Sequence, residues 1–138
     1  MHTGPDLMPS RNHSIIHRLH EALQARDHST FLRLLSPEIR ITHSPGLPWG
    51  GSFHGHEGAK VFLERQATYV VAYMSMERIL DAGDHIAVTG RMYGATRRTA
   101  RRFDVPVVYL WQIEDGLVTR LEIVVDLPSF QTALADAA

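Results

Sequence analysis

The chain contains no cysteine and carries almost no net charge. Without cysteine there is no disulfide framework, no thiolate metal ligand and no cysteine nucleophile. A formal net charge of -1 creates no overall field that would attract nucleic acid or an anionic membrane. No apolar stretch approaches the roughly 18 residues of a membrane span, and residues 1–13 lack the apolar core of a signal peptide. We therefore expect a cytoplasmic protein that binds neither nucleic acid nor membrane.

Length and apolar content fit one domain. With 138 residues, 44% of them apolar, the chain is long enough to bury a core without covalent or metal cross-links. Residues 1–13 are rich in His, Pro and Gly, so they are predicted to form a flexible N-terminal segment. We expect the single folded domain to span residues 14–138.

The apolar spacing predicts helices first and strands last. Three helices are expected before residue 71, together with the short strand Glu38–His43 and a loop of Gly and Pro at 44–51. The later elements are four strands and a closing helix, at Ala72–Leu80, His85–Thr96, Phe103–Glu114, Leu117–Val125 and about Pro128–Leu134. Short turns between the late strands exclude a parallel βαβ fold. The predicted class is α+β, with a curved antiparallel sheet wrapped around the three early helices and a pocket between the layers.

The most distinctive local signal is a hairpin that ends in an acid. Two runs of β-branched and aromatic residues meet at Asp115-Gly116, a dipeptide that tolerates the positive φ angles of a tight turn. Alternation along each strand places Tyr109 and Trp111 on one face of the first strand, and Glu122 and Asp126 on one face of the second. We expect these aromatic and acidic side chains to line one cavity.

Asp126 has two competing interpretations. Facing an apolar pocket, its carboxylate could act as a general acid and base beside a carbonyl group, without a cofactor. Preceding Leu127, Pro128 and Ser129, it could instead cap the terminal helix. Glu122 could share a proton with Asp126 or pair with a nearby arginine. These alternatives stay open at this point.

Four more side chains are candidates for contact with a ligand. Tyr109 and Trp111 offer flat surface and hydrogen-bond donors that suit a cyclic compound with a carbonyl or enolate oxygen, although aromatics on strands also fill ordinary cores. His43 ends a strand that leads toward the predicted pocket, where it could orient a ligand or transfer a proton. Trp49 is an unusual residue for the Gly- and Pro-rich loop.

Two further clusters favour simpler interpretations. His43, His54 and His56 lack the spacing of a metal motif, so no metal site is expected. The arginine-rich turn 97–102 is interpreted as a solvated hairpin tip, because no aromatic residue alternates with its charges. Arg102 and Asp104 could form part of an arginine-bridged acid pair that positions a hydrolytic water, or a surface ion pair.

A family resemblance rests on three parts of the sequence, namely Pro48–Gly58, Trp111–Leu121 and Asp126. Together they make the chain similar to the SnoaL-like polyketide cyclases, within the ketosteroid isomerase and nuclear transport factor 2-like superfamily. The resemblance implies a cone-shaped α+β barrel of the cystatin-like type, usually a homodimer formed through the sheet. It also implies a cofactor-free apolar pocket, with Asp126 matching the general acid/base aspartate. Tyr109 stands where relatives often carry a pocket histidine.

Three functions follow from these observations. The first is a cofactor-independent enzyme that cyclises or isomerises an apolar polyketide- or steroid-like carbonyl compound, with Asp126 moving the proton and Tyr109 donating to the oxyanion. His43, Trp49, Trp111 and Glu122 would shape its pocket. The second is a non-catalytic ligand-binding or dimerisation module, in which Asp126 only caps a helix. The third is an epoxide hydrolase, which requires Arg102 and Asp104 inside the pocket.

Overall fold

A computed structural model describes residues 3–136. The elements are helices α1 (Thr3–Gln24), α2 (His28–Arg33), α3 (Gly55–Tyr69) and α4 (Leu127–Asp136), and strands β1 (Leu35–His43), β2 (Gly51–His54), β3 (Val70–Ala82), β4 (His85–Thr96), β5 (Arg102–Glu114) and β6 (Leu117–Val125). The α+β class and the helix-first, strand-last order are confirmed. No helix in this described range combines the length and apolarity needed to cross a membrane.

The six strands form one open sheet in the order β2-β1-β6-β5-β4-β3. Strands β3 to β6 form the predicted antiparallel meander. Strand β1, however, runs parallel to β6, with Ile41 opposite Leu121. The prediction of a purely antiparallel sheet is therefore wrong at this pair. The long connection through β2, α3 and the meander returns the chain beside β1 in the same direction, which a tight turn cannot do.

The start of α1 and the strand β2 are the largest local differences from the sequence prediction. Helix α1 begins at Thr3 rather than near Ser14. Strand β2 occupies Gly51–His54 and pairs with β1, where the Gly and Pro content predicts a loop that merges into a helix. Four residues are too short for an alternating pattern to be recognised, and Gly51 adopts a φ of 121° that favours glycine.

The helices cover one face of the sheet and build the core there. Helix α1 contributes Ile15, Ile16 and Leu19, all buried, at the three- and four-residue spacing of an amphipathic helix. Strands β5 and β6 direct alternate side chains to the same core. These inward residues are Phe103, Val105, Val107, Tyr109, Trp111, Leu121, Ile123 and Val125. The residues between them on β6, such as Glu122 and Val124, face solvent on the other side of the sheet.

Candidate functional site

A cavity of about 240 Å³ lies between the helices and the covered face of the sheet. Most of its wall is apolar, because it is the part of the core where the helices and the sheet separate. The apolar lining comprises Leu23, Phe31, Phe62, Leu63, Ala67, Val70, Ala72, Met74, Met92, Leu121 and Ile123. Such a wall with a few polar groups is typical of small-molecule sites.

The two buried polar residues of the lining are His20 and Tyr109, while Gln66 is half-buried. His20 comes from α1 and is 3% exposed, while Tyr109 comes from β5 and is 6% exposed. Their rings pack with centroids 5.1 Å apart. Behind them, the Trp111 indole Nε1 donates a hydrogen bond of 3.2 Å to His20 Nε2. Helix α1 and the sheet thus meet at a cluster of three polar rings.

The hydrogen bond from Trp111 determines which ring nitrogen of His20 carries the proton. Burial, reinforced by neighbouring His17, lowers the pKa of His20 to about 4, so the ring is neutral at pH 7. In a neutral imidazole only one nitrogen accepts. Since Nε2 accepts from the indole, Nδ1 carries the proton. His20 is therefore a neutral hydrogen-bond donor beside the cavity.

Tyr109 supplies a second donor next to His20. Burial raises the pKa of its phenol well above the ordinary value of 10.0, so the hydroxyl keeps its proton at neutral pH. Within residues 3–136 this hydroxyl forms no hydrogen bond. Two uncharged donors at the same wall suit a carbonyl oxygen that gains negative charge during a reaction.

The mouth of the cavity carries cationic and amide side chains. Its exposed polar members are Gln24, Arg26, His28, Tyr73 and Arg97. Gln24 Oε1 accepts a hydrogen bond of 2.8 Å from the backbone N–H of Met74, which ties α1 to β3. Among the described residues that line the cavity, none is Asp or Glu.

Asp126 does not face this cavity. It is exposed and precedes α4, where its carboxylate accepts hydrogen bonds from the Ser129 hydroxyl at 2.8 Å and the Ser129 backbone N–H at 3.5 Å. The expectation that it lines the pocket is wrong, and the helix-cap interpretation fits these contacts. Its partner Glu122 is also exposed, on the outer face of β6.

Alternation predicted correctly which side chains share a face within each strand. It did not predict which faces of β5 and β6 lie on the same side of the sheet. Tyr109 lies opposite Ile123, and Trp111 lies opposite Leu121. Side chains at directly paired positions point to the same face of a sheet. Ile123 and Leu121 therefore share the aromatic face, whereas Glu122 and Asp126 alternate away from it. The aromatic and acidic side chains consequently do not line one cavity.

His43 and Trp49 belong to a second buried cluster outside the cavity lining. His43 Nδ1 accepts a hydrogen bond of 2.8 Å from Ser44 N, and Trp49 Nε1 lies 3.4 Å from His43 Nε2. Burial lowers the pKa of His43 to about 4. Trp49 also packs against Phe130 of α4, with ring centroids 5.3 Å apart. This cluster anchors the Trp49 loop and α4 to the core, and neither residue reaches the ligand space.

The Arg102 and Asp104 arrangement required of an epoxide hydrolase is absent from the cavity. Asp104 is exposed and pairs with Arg91, whose Nε lies 2.6 Å from its carboxylate, and Arg102 is exposed at the start of β5. Over the described range, no group of three His, Cys, Asp or Glu side chains is arranged to hold a metal ion.

His20 is one of the site residues that the sequence interpretation missed, together with Arg26 and His28. It lies four residues after Ile16 and beside Leu19, so it falls on the apolar stripe of α1. A histidine on such a stripe is either a satisfied core residue or a functional group. The stripe could have identified it as buried, but the contact with Trp111 joins positions 91 residues apart and is not visible in the sequence.

An open, curved α+β sheet with helices on one face and a cavity between the layers is the nuclear transport factor 2-like fold. A protein-family model described as "SnoaL-like domain" matches residues 16–121. The chain therefore belongs to the SnoaL-like domain family, as its resemblance predicts.

Solved structures agree with this fold. A nuclear transport factor 2-like protein from Burkholderia pseudomallei is 24% identical, with a TM-score of 0.83 over 89% of this chain and 96% of that one. TerC, co-crystallised with polyporic acid, is also 24% identical, with a TM-score of 0.84 over 91% and 98%. A putative SnoaL-like polyketide cyclase from a Jannaschia species is 22% identical, with a TM-score of 0.80 over 91% and 92%. No curated protein sequence matches.

Proposed function

We propose that this protein is a cofactor-independent enzyme that promotes enolisation of a small apolar carbonyl compound, as a step in cyclisation or isomerisation. The observation that carries the proposal is the pair of neutral donors, Tyr109 and His20, side by side in the apolar cavity. The proton transfer expected of Asp126 falls to a different residue, because the aspartate caps α4. The names of similar structures, among them a putative polyketide cyclase from Xanthomonas campestris, support the same reaction class.

The two donors would act on the developing enolate oxygen. Removing a proton from carbon beside a carbonyl moves negative charge onto oxygen, and fixed donors in a water-poor site stabilise that charge. A neutral imidazole donates well here, since it needs no proton from solvent. His28, which lines the mouth of the cavity, is the available acceptor for the carbon-bound proton.

The cavity volume narrows the choice of substrate. At about 240 Å³ it lies below the ~300–1,000 Å³ of pockets that enclose drug-sized ligands. A compound with one or two rings matches this space better than a four-ring steroid does. Among the sequence-based alternatives, the compact polyketide-like carbonyl compound is therefore favoured.

We also propose a homodimer formed through the outer sheet face, which exposes Tyr93 and Val124.

Exchange of deuterium into 2-tetralone tests enolisation without knowledge of the natural substrate. We expect the protein to accelerate exchange at the carbon beside the carbonyl, followed by NMR in D₂O. Tyr109→Phe removes one oxyanion donor and should slow the catalysed exchange by roughly 10²–10³-fold. Tyr69→Phe, a change of the same kind at an exposed tyrosine outside the cavity lining, should leave the rate unaltered.

A non-catalytic binding module is the second candidate, and one observation favours it. No described lining residue is a carboxylate, so the strongest conventional base is missing from the cavity wall. If 2-tetralone binds but its exchange rate stays at the buffer value, the binding module replaces the enzyme as the assigned function.

A further inference from the structure

Arg26 and Arg97 both line the mouth of the cavity and are both held in place. Arg26 follows α1 with a left-handed φ of 59°. Its guanidinium donates to Ala72 O at 2.8 Å and lies 4.6 Å from the centroid of the Tyr73 ring. Arg97 Nε donates to the backbone carbonyl oxygen of Ala67 in α3. Both guanidinium groups are thus fixed against the elements that frame the opening.

Within residues 3–136, neither guanidinium has an acidic partner. In the part of the chain that the structure describes, Arg26 and Arg97 form no ion pair. Arg91 shows the contrast, since Asp104 neutralises it on the outer face. A bound anion at this opening would be attracted by both cations.

Both arginines keep donors available for such an anion. A guanidinium has five N–H donors in a planar fork. The bond from Arg97 to Ala67 uses Nε, and the bonds from Arg26 to Leu23 O and Ala72 O each use one terminal nitrogen. The remaining donors match the paired oxygens of a carboxylate, or one oxygen of an enolate.

We propose that the ligand carries an anionic oxygen group that Arg26 and Arg97 bind at the mouth, while its apolar body extends inward to Tyr109 and His20. This inference rests on the proposed function, because it assigns the same cavity to the ligand. It specifies an amphipathic substrate with an anionic outer end, an apolar one- or two-ring body and a carbonyl oxygen at the inner end. Arg26 and Arg97 are then the residues that select for the acid over its neutral analogues.

Three compounds of similar size separate charge from shape. The probes are 2-naphthoate, the neutral 2-naphthamide, and 2-hydroxy-1,4-naphthoquinone, whose enolic oxygen is ionised at neutral pH. Dissociation constants are measured by isothermal titration calorimetry at low and high salt. We expect 2-naphthoate to bind at least roughly fivefold more tightly than 2-naphthamide, with the difference shrinking at high salt. The naphthoquinone distinguishes an enolate from a carboxylate as the preferred anion.

Variants assign this preference to the two arginines. Arg26→Gln and Arg97→Gln should each weaken 2-naphthoate binding and leave the amide within about twofold, whereas Arg26→Lys and Arg97→Lys should retain part of the preference. A purely structural role would affect the acid and the amide alike. Arg98→Gln, on the same turn but outside the cavity lining, is the control. Thermal unfolding checks that each variant is folded.

Ala67→Trp shows whether the probes occupy the cavity. Ala67 is exposed and lines the mouth, so an indole there should block entry without disturbing the core. If the wild type binds the acid and the amide equally, and Ala67→Trp abolishes both, the anion assignment is overturned. The cavity is then still the ligand site. A preference that survives both Gln variants also overturns it. Absence of binding by all three probes contradicts the proposed function together with this inference.

Discussion

At the scale of single residues, the same kind of side chain has different roles according to what surrounds it. Asp126 is an acid at the end of an apolar strand, and the sequence suggested chemistry for it. Its contacts with Ser129 make it a helix cap. Asp27 plays the same part at α2, where hydrogen bonds from Thr30 lower the pKa of its carboxyl group.

Asp126→Ala tests this residue assignment directly. Loss of the cap should reduce the free energy of unfolding by about 0.5–2 kcal/mol, because the Ser129 backbone N–H loses its acceptor. Urea denaturation measures the change. Asp126→Asn is the matched variant, since asparagine caps nearly as well. Normal stability of the alanine variant combined with loss of 2-tetralone exchange would return Asp126 to the catalytic role.

At the scale of elements, local chemistry predicted the hairpin well and its surroundings poorly. The boundaries of β4 and β6 agree with the prediction, because Asp115-Gly116 and Asp84 mark turns between strongly apolar runs. Strand β2 was missed because its four residues carry no alternation. The parallel pairing of β1 with β6 could not be inferred either, since it depends on how α3 and the meander return the chain.

The tight turn of the hairpin gives an element-scale prediction. Asp115 and Gly116 have φ angles of 53° and 80°, the left-handed region that a side chain with a Cβ disfavours by roughly 1–2 kcal/mol. Gly116→Ala should lower the free energy of unfolding by about that amount, although the added methyl group would meet no neighbour. Asp115→Asn should change it by less than about 0.5 kcal/mol. Equal stability of both variants would contradict a turn held by positive φ.

At the scale of the whole molecule, the candidate site depends on contacts that span the chain. The hydrophobic stripe of α1 predicted which face of the helix is buried, and it contains His20. Nothing in the local pattern indicated that this helix packs its histidine against Tyr109 and Trp111. The mouth likewise combines Arg26, at the end of α1, with Arg97, in the turn after β4. The core was therefore largely predictable, whereas the site was not.

Two buried neutral histidines make global stability sensitive to acid. Burial lowers the pKa of His20 and His43 from 6.5 to about 4, so between these values the unfolded chain binds protons that the folded chain does not. The contribution of these two histidines to the free energy of unfolding is fully present above pH 6.5. It is lost as the pH drops toward 4, by up to about 3 kcal/mol for each group.

His43→Gln isolates the contribution of one histidine to this pH dependence. Urea denaturation between pH 7 and 4.5 should show a shallower loss of stability in this variant than in the wild type. His54→Gln, at an exposed histidine, should keep the wild-type slope. An identical slope in the His43 variant would mean that its imidazole titrates normally in the folded protein.

The hydrogen bond between Trp111 and His20 also provides an optical reporter. The chain has two tryptophans. Trp111 contacts two residues of the cavity wall, His20 by the hydrogen bond and Tyr109 by ring packing with centroids 5.8 Å apart. Trp49 lies in the separate cluster with His43 and Phe130. In a Trp49→Phe background, the remaining indole emission would respond to events at His20 and Tyr109. Occupancy of the cavity could then be followed in real time, without labelling the protein or the ligand.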